Sequence, residues 1–153
     1  MKALELKIPP PVIALLVAAS MWFARSCAPS LGLDIPWRLG FAIAPAVIGI
    51  ALALAGVLAF RKAKTTVNPT KPEATSTVVA TGIYRFTRNP MYLGMLMVLI
   101  GWAVFLANAV SFLLLPLFVL YMNRFQIGPE ERALSEHFGR EYSAYMHSVR
   151  RWL

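Results

Sequence analysis

Two polar clusters carry the residue types from which a binding site can be built. The first is Thr81-Gly82-Ile83-Tyr84-Arg85-Phe86-Thr87-Arg88-Asn89-Pro90-Met91-Tyr92-Leu93-Gly94. The second is Arg124-Phe125-Gln126-Ile127-Gly128-Pro129-Glu130-Glu131, continued by Phe138-Gly139-Arg140-Glu141-Tyr142. An Asn-Pro step fixes a backbone turn, and glycines let a ligand approach the main chain. A carboxylate accepts charge-assisted bonds from hydroxyl or amino groups, and tyrosine faces suit a cation. The plainer reading is that the arginines anchor helix ends to lipid headgroups and the glutamates cap a helix. Against it stands the density of Gly, Asn, Pro, Tyr and Arg at one helix entrance, which exceeds what anchoring needs. The lone Cys27 excludes an internal disulfide and a multi-cysteine metal site. His137 and His147 stand apart on the last helical stretch and make no metal site, so no metal is expected.

The elements that must position these clusters lie in lipid. Of 153 residues, 58% are hydrophobic and only 14% charged, where a soluble domain has about a quarter charged. The net charge of +8 does not indicate nucleic acid, because the basic residues lie between apolar runs and not on one polar surface. The fold class expected is an all-α integral membrane protein of about four transmembrane helices, in one membrane domain spanning 1–153. Residues 8–24 form the first, with Pro9, Pro10 and Pro11 at its start, where missing amide donors cost little. Residues 39–60 form the second. The charge-free stretch from Asn89 to Asn123 is too long for one helix. A break at Ala107-Asn108 divides it into 91–106 and 109–122, a tight hairpin that either crosses the bilayer or enters and returns. Gly94, Gly101 and Ala103 allow close helix approach. Trp22, Trp37, Trp102 and Trp152 fit interfacial belts or packing, and Met91, Met95 and Met97 fit packing.

Residues 61–90 read as a water-facing connector that holds the first polar cluster. Leu134, Phe138, Tyr142, Tyr145 and Val149 recur at helical spacing, which predicts one amphipathic helix over 129–150 at the membrane surface. Only Arg25 and Arg38 of the 15 Lys and Arg fall on the side opposite both clusters. The positive-inside rule therefore puts both termini in the cytoplasm, which suits a bacterial or archaeal inner membrane. Lys2, Lys7 and the apolar core after them resemble a signal peptide. The apolar run continues through Met21-Trp22-Phe23, so the segment is expected to stay as an anchor.

Gly82-Ile83-Tyr84, Arg88-Asn89-Pro90-Met91-Tyr92-Leu93-Gly94, Glu130-Glu131 and Phe138-Gly139-x-x-Tyr142-x-x-Tyr145 together resemble the integral membrane methyltransferases. This group includes isoprenylcysteine carboxyl methyltransferase and phospholipid N-methyltransferases. The resemblance runs from about Thr75 to the C-terminus. It implies S-adenosylmethionine as cofactor, held without a dinucleotide-binding domain, and a lipophilic small-molecule acceptor entering from the bilayer. It implies that Thr77, Val78, Val79 and Tyr84 line the cofactor pocket, that Asn89, Pro90, Met91 and Tyr92 hold the nucleoside and methionine parts, and that Glu130 binds a polar group of the cofactor. The isoprenylcysteine enzymes have a substrate-binding arginine near the position of Gln126; the nearest candidate here is Arg124. The family often has histidine where Asn89 and Ser76 stand. Two readings of other kinds remain at this point, namely an NADPH-dependent reductase with a sterol-reductase-like hairpin and a small non-enzymatic membrane scaffold.

Overall fold

The computed structural model describes residues 5–65 and 75–153. The first helix, α1, is Pro10–Cys27, and α2 is Arg38–Lys62. The hairpin is α3, Pro90–Leu106, and α4, Ala109–Met122. A π-helical turn, Asn123–Ile127, runs straight from α4 into α5, Gly128–Phe138, and α6 is Arg140–Ser148. No strand occurs among the described residues, so the chain is an all-α integral membrane protein. Residues α1, α2 and the continuous helical run Ala109–Phe138 are long and apolar enough to cross a membrane, and α3 is a shorter apolar helix.

Helix α3 is the centre of the bundle, with α2 along one side and α1 and α4 along the other. Small residues set the first contact. A methyl group added at Gly94 would lie 2.5 Å from the Gly49 carbonyl oxygen, and one at Gly101 would lie 2.5 Å from that of Ala42. Backbones this close gain dispersion along their whole length, the interaction that holds helices together where lipid is as apolar as leucine. Most large apolar side chains of α2, among them Phe41, Val47, Leu54 and Leu58, remain exposed, as a lipid-facing helix requires.

The hairpin tip is tied to the link between α1 and α2. Ala107 takes a left-handed conformation at φ 49°, and the buried Asn108 side chain caps α4 by accepting from the Val110 amide at 3.0 Å. The same side chain donates to the Ala28 carbonyl at 3.0 Å, and the Arg25 guanidinium donates to the Leu106 carbonyl. The tip thus lies at the end of the bundle where α1 finishes.

One expectation is corrected. Residues 129–150 are not a single helix but break at Gly139, whose φ of +54° and ψ of −119° are costly for any residue with a Cβ. The break redirects the chain without separating its apolar face. Leu134, Phe138, Tyr142, Tyr145 and Val149 all join one apolar cluster with Val79, Tyr84 and Phe60. Part of the 61–90 connector, residues 66–74, lies outside the described residues.

Candidate active site

The water-facing end of the bundle, opposite the hairpin tip, gathers three segments that the sequence holds far apart. The end of α2 supplies Phe60. The strip 75–79 and the 3-10 turn Gly82–Arg85 supply Thr75, Thr77, Val78, Val79 and Tyr84, and α5–α6 supplies Leu134, Tyr142 and Tyr145. Together with Arg88 they enclose a cavity of about 60 Å³.

Aromatic rings form most of the wall. Phe60 meets Tyr84 edge to face at 5.3 Å, and Tyr142 and Tyr145 lie 6.0 Å apart. The Tyr145 hydroxyl donates to the Tyr84 carbonyl at 2.8 Å, fastening α6 to the turn. The Ser76 amide donates to the Thr65 hydroxyl at 2.9 Å, fastening the strip to the end of α2. Burial pushes the phenols of Tyr84, Tyr142 and Tyr145 well above the ordinary tyrosine value; beyond it, Tyr145 and Glu130 raise Tyr84 further. These phenols stay neutral at any physiological pH and serve as hydrogen-bond donors and π faces, not as bases.

A second group lies beside the cavity, outside its lining. The Tyr92 hydroxyl donates to the Glu130 carboxylate, joining α3 to α5. Asn89 is spent on the chain itself, its side-chain amide donating to the Arg151 carbonyl at 2.9 Å. Pro90 opens α3, and Met91 packs where Gly56 of α2 passes. Of the residues singled out from the sequence, Thr77, Val78, Val79 and Tyr84 share one cavity. Asn89, Pro90, Met91, Tyr92 and Glu130, expected from the resemblance to hold the cofactor, are not among the residues that line it.

Arg124 is placed elsewhere. The π-helical turn carries Gln126 and Ile127 into the core and leaves the Arg124 side chain 53% exposed, 3.5 Å from Glu5 and over the Phe125 ring at 5.8 Å. It does not line the cavity. Six lining residues, Phe60, Thr75, Arg88, Leu134, Tyr142 and Tyr145, were not given as pocket residues from the sequence. Phe60 looked like one more apolar residue of a span, and Arg88 looked like a headgroup anchor. Arg88 stands in the cluster beside Asn89-Pro90, and that adjacency was the available signal. No group of three or more His, Cys, Asp or Glu able to hold a metal occurs among the described residues.

A family model described as phospholipid methyltransferase matches residues 37–141. The chain belongs to that family. It is 36% identical over 83 residues to a protein-S-isoprenylcysteine O-methyltransferase of Saccharomyces cerevisiae, covering 52% of this chain and 34% of the yeast protein. It is 26% identical over 113 residues to protein-S-isoprenylcysteine O-methyltransferase B of Arabidopsis thaliana, covering 74% of this chain and 57% of the plant protein. An uncharacterized protein of Haemophilus influenzae is 44% identical over 63 residues, which is 41% of this chain and all of that protein. The chain thus matches between about a third and just over half the length of the two methyltransferases. No solved structure matches.

Proposed function

We propose that this protein transfers a methyl group from S-adenosylmethionine to a small lipophilic acceptor at the cytoplasmic face of the membrane. The acceptor is an isoprenylcysteine-like carboxylate, a phospholipid amine or a related lipid. The observation that carries this reading is the single cavity shared by the 75–84 segment and α5–α6.

The residues suit such a cofactor. Thr77, Val78 and Val79 bring their main chain to the wall of an aromatic box. When bound, S-adenosylmethionine supplies an electrophilic methyl on a sulfonium whose positive charge is lost as the methyl leaves. Tyr84, Tyr142 and Tyr145 offer π faces to that cation, at about 0.5–2 kcal/mol per ring contact. Glu130 and the Asn89–Tyr92 turn are proposed to hold its polar ends, the carboxylate accepting from ribose or amino groups. Burial of the aromatic wall excludes water, so positioning and desolvation do most of the work. Arg124, exposed beside Glu5, is kept as a contact for an acidic headgroup arriving from the lipid surface.

The placement of charge supports the sidedness. Arg61, Lys62, Arg85, Arg88, Arg124, Arg132, Arg140, Arg150 and Arg151 gather at the site end, and Arg25 and Arg38 at the other. We therefore place the site and both termini on the cytoplasmic side of a bacterial or archaeal inner membrane. The test is transfer of labelled methyl from S-adenosylmethionine into a membrane lipid extract by purified protein. Label should appear in one lipid class and fall at least tenfold with Tyr142→Ala. No label in any lipid, from folded protein, contradicts the proposal.

A further inference from the structure

At the end of the bundle opposite the candidate active site, Arg25 and Arg38 converge on one cavity. Arg25 lies in the last turn of α1 and Arg38 opens α2. Both line a hollow of about 190 Å³ together with Pro29, Gly32, Ala107 and Asn108. The chain itself builds the frame. The Leu33 amide donates to the Ala107 carbonyl at 2.6 Å, and Gly32 pairs with Asn108 in an isolated antiparallel bridge. Asn108 is fully buried, and Arg25 is half-buried with its guanidinium donating to the Leu106 carbonyl. That bond occupies one edge of the guanidinium, whose planar fork carries further donors.

An arginine at a span's end ordinarily holds its charge out in water. Here two like charges share one hollow, and among the described residues neither pairs with a carboxylate. Arg38 and Leu33 also belong to a wider, open hollow of about 620 Å³, whose wall continues through Ile35, Trp37, Leu39 and Ile43. Leu39 and Ile43 are exposed on the lipid-facing surface of α2, so a charged seat runs directly into an apolar groove. Trp22 and Trp37, both exposed at this end, mark the level of the headgroups. Asp34 lines the wider hollow, where it suits an amine and opposes a second negative charge. Guanidinium forks match phosphate oxygens, so the seat fits a phosphate carrying one charge and the groove fits a hydrocarbon chain.

We propose that this cavity binds the phosphodiester of a phospholipid in the leaflet opposite the candidate active site, with an acyl chain laid along Leu39 and Ile43. Bound there, the lipid ties the end of α1, the start of α2 and the hairpin tip together, whatever reaction proceeds at the other end. A free phosphate ion offers the same group without the chain, and the experiment separates the two.

Thermal unfolding of the full chain, delipidated in a maltoside detergent, would compare three additives: phosphatidylethanolamine, diacylglycerol with the same chains, and inorganic phosphate. Half of the maximal rise in melting temperature should need roughly tenfold less phosphatidylethanolamine than diacylglycerol, the size expected for hydrogen bonds to a charged group. Inorganic phosphate at the same concentrations should give no rise. Arg38→Gln, a change at an exposed position, should bring the two lipids to within about threefold by weakening only the phospholipid. Arg25→Lys, which keeps the charge without the fork, should lose part of the preference. Arg61→Gln, at the other end of α2, should keep it in full, which a general effect of charge does not allow. Should Arg38→Gln fail to fold, Arg25→Lys against Arg61→Gln gives the same contrast. No preference for the phosphate-bearing lipid, a preference that survives both Arg38→Gln and Arg25→Lys, or an equal loss with Arg61→Gln overturns the site. A full rise with inorganic phosphate alone overturns the lipid as its occupant.

Discussion

The Tyr145 hydroxyl donates to the Tyr84 main-chain carbonyl at 2.8 Å, a buried bond between residues 61 positions apart in the chain. It is a direct tie between the last helix and the turn ahead of the hairpin, and it closes the cavity on one side. Tyr145→Phe keeps the ring and strands the carbonyl. It should lower stability by about 1–3 kcal/mol, the cost of an unmade buried acceptor, and weaken nucleoside binding several-fold. Thermal unfolding and calorimetry on the same preparation check both. An unchanged melting point would mean that the bond does not form in solution.

The contact of Gly94 with Gly49 predicts a sharp positional contrast. Gly94→Ala forces α2 and α3 apart and should cost about 1–3 kcal/mol, as overpacking does. Gly40→Ala, where nothing lies within 4 Å, should be neutral or slightly stabilising through helix propensity. Melting temperatures of the two variants in one detergent give the answer, and equal effects would refute the interface.

The raised phenol pKa values of Tyr84, Tyr142 and Tyr145 set an alkaline limit. Their ordinary value is 10.0 and burial lifts each above it in the folded state. Below that value both states hold the proton and stability is unaffected by these groups. Above it the unfolded chain releases protons that the folded chain retains, so stability falls as pH rises. Spectrophotometric titration of folded protein should leave three phenols protonated past pH 10, with release only on unfolding. Ionisation of all tyrosines near the ordinary value without unfolding would contradict this burial.

Asn108 tests the far end. Its side chain is fully buried and joins Val110 to Ala28. Asn108→Ala should destabilise the fold by about 1–3 kcal/mol, through a lost cap and an unmade buried partner, yet leave nucleoside affinity unchanged. A selective loss of affinity, with stability intact, would show that the tip and the site are coupled.

What the sequence made legible follows from where each signal resides. The hairpin turn was readable because Asn108 interrupts two apolar runs, and an amide there costs more in lipid than in a turn. The spacing of Leu134, Phe138, Tyr142, Tyr145 and Val149 was readable because these five do share one cluster. The break between Phe138 and Arg140 was hidden by that same periodicity, although Gly139 is the residue that ends helices in this way. The π-helical turn has no signature in residue type, and it decides that Gln126 points inward and Arg124 outward. Arg88 was misjudged because an arginine at a span's end resembles an anchor until the partner Glu131, on a distant helix, is brought beside it.

The central claim is that the strip 75–84 and α5–α6 form one donor-binding cavity. Titrating S-adenosylhomocysteine into detergent-solubilised protein tests it most directly, with NADPH as the contrasting ligand. The account predicts micromolar-range binding of S-adenosylhomocysteine, weakened at least tenfold by Glu130→Ala and by Tyr142→Ala, and no heat with NADPH. Folded protein that ignores S-adenosylhomocysteine, or binds NADPH in its place, would contradict it.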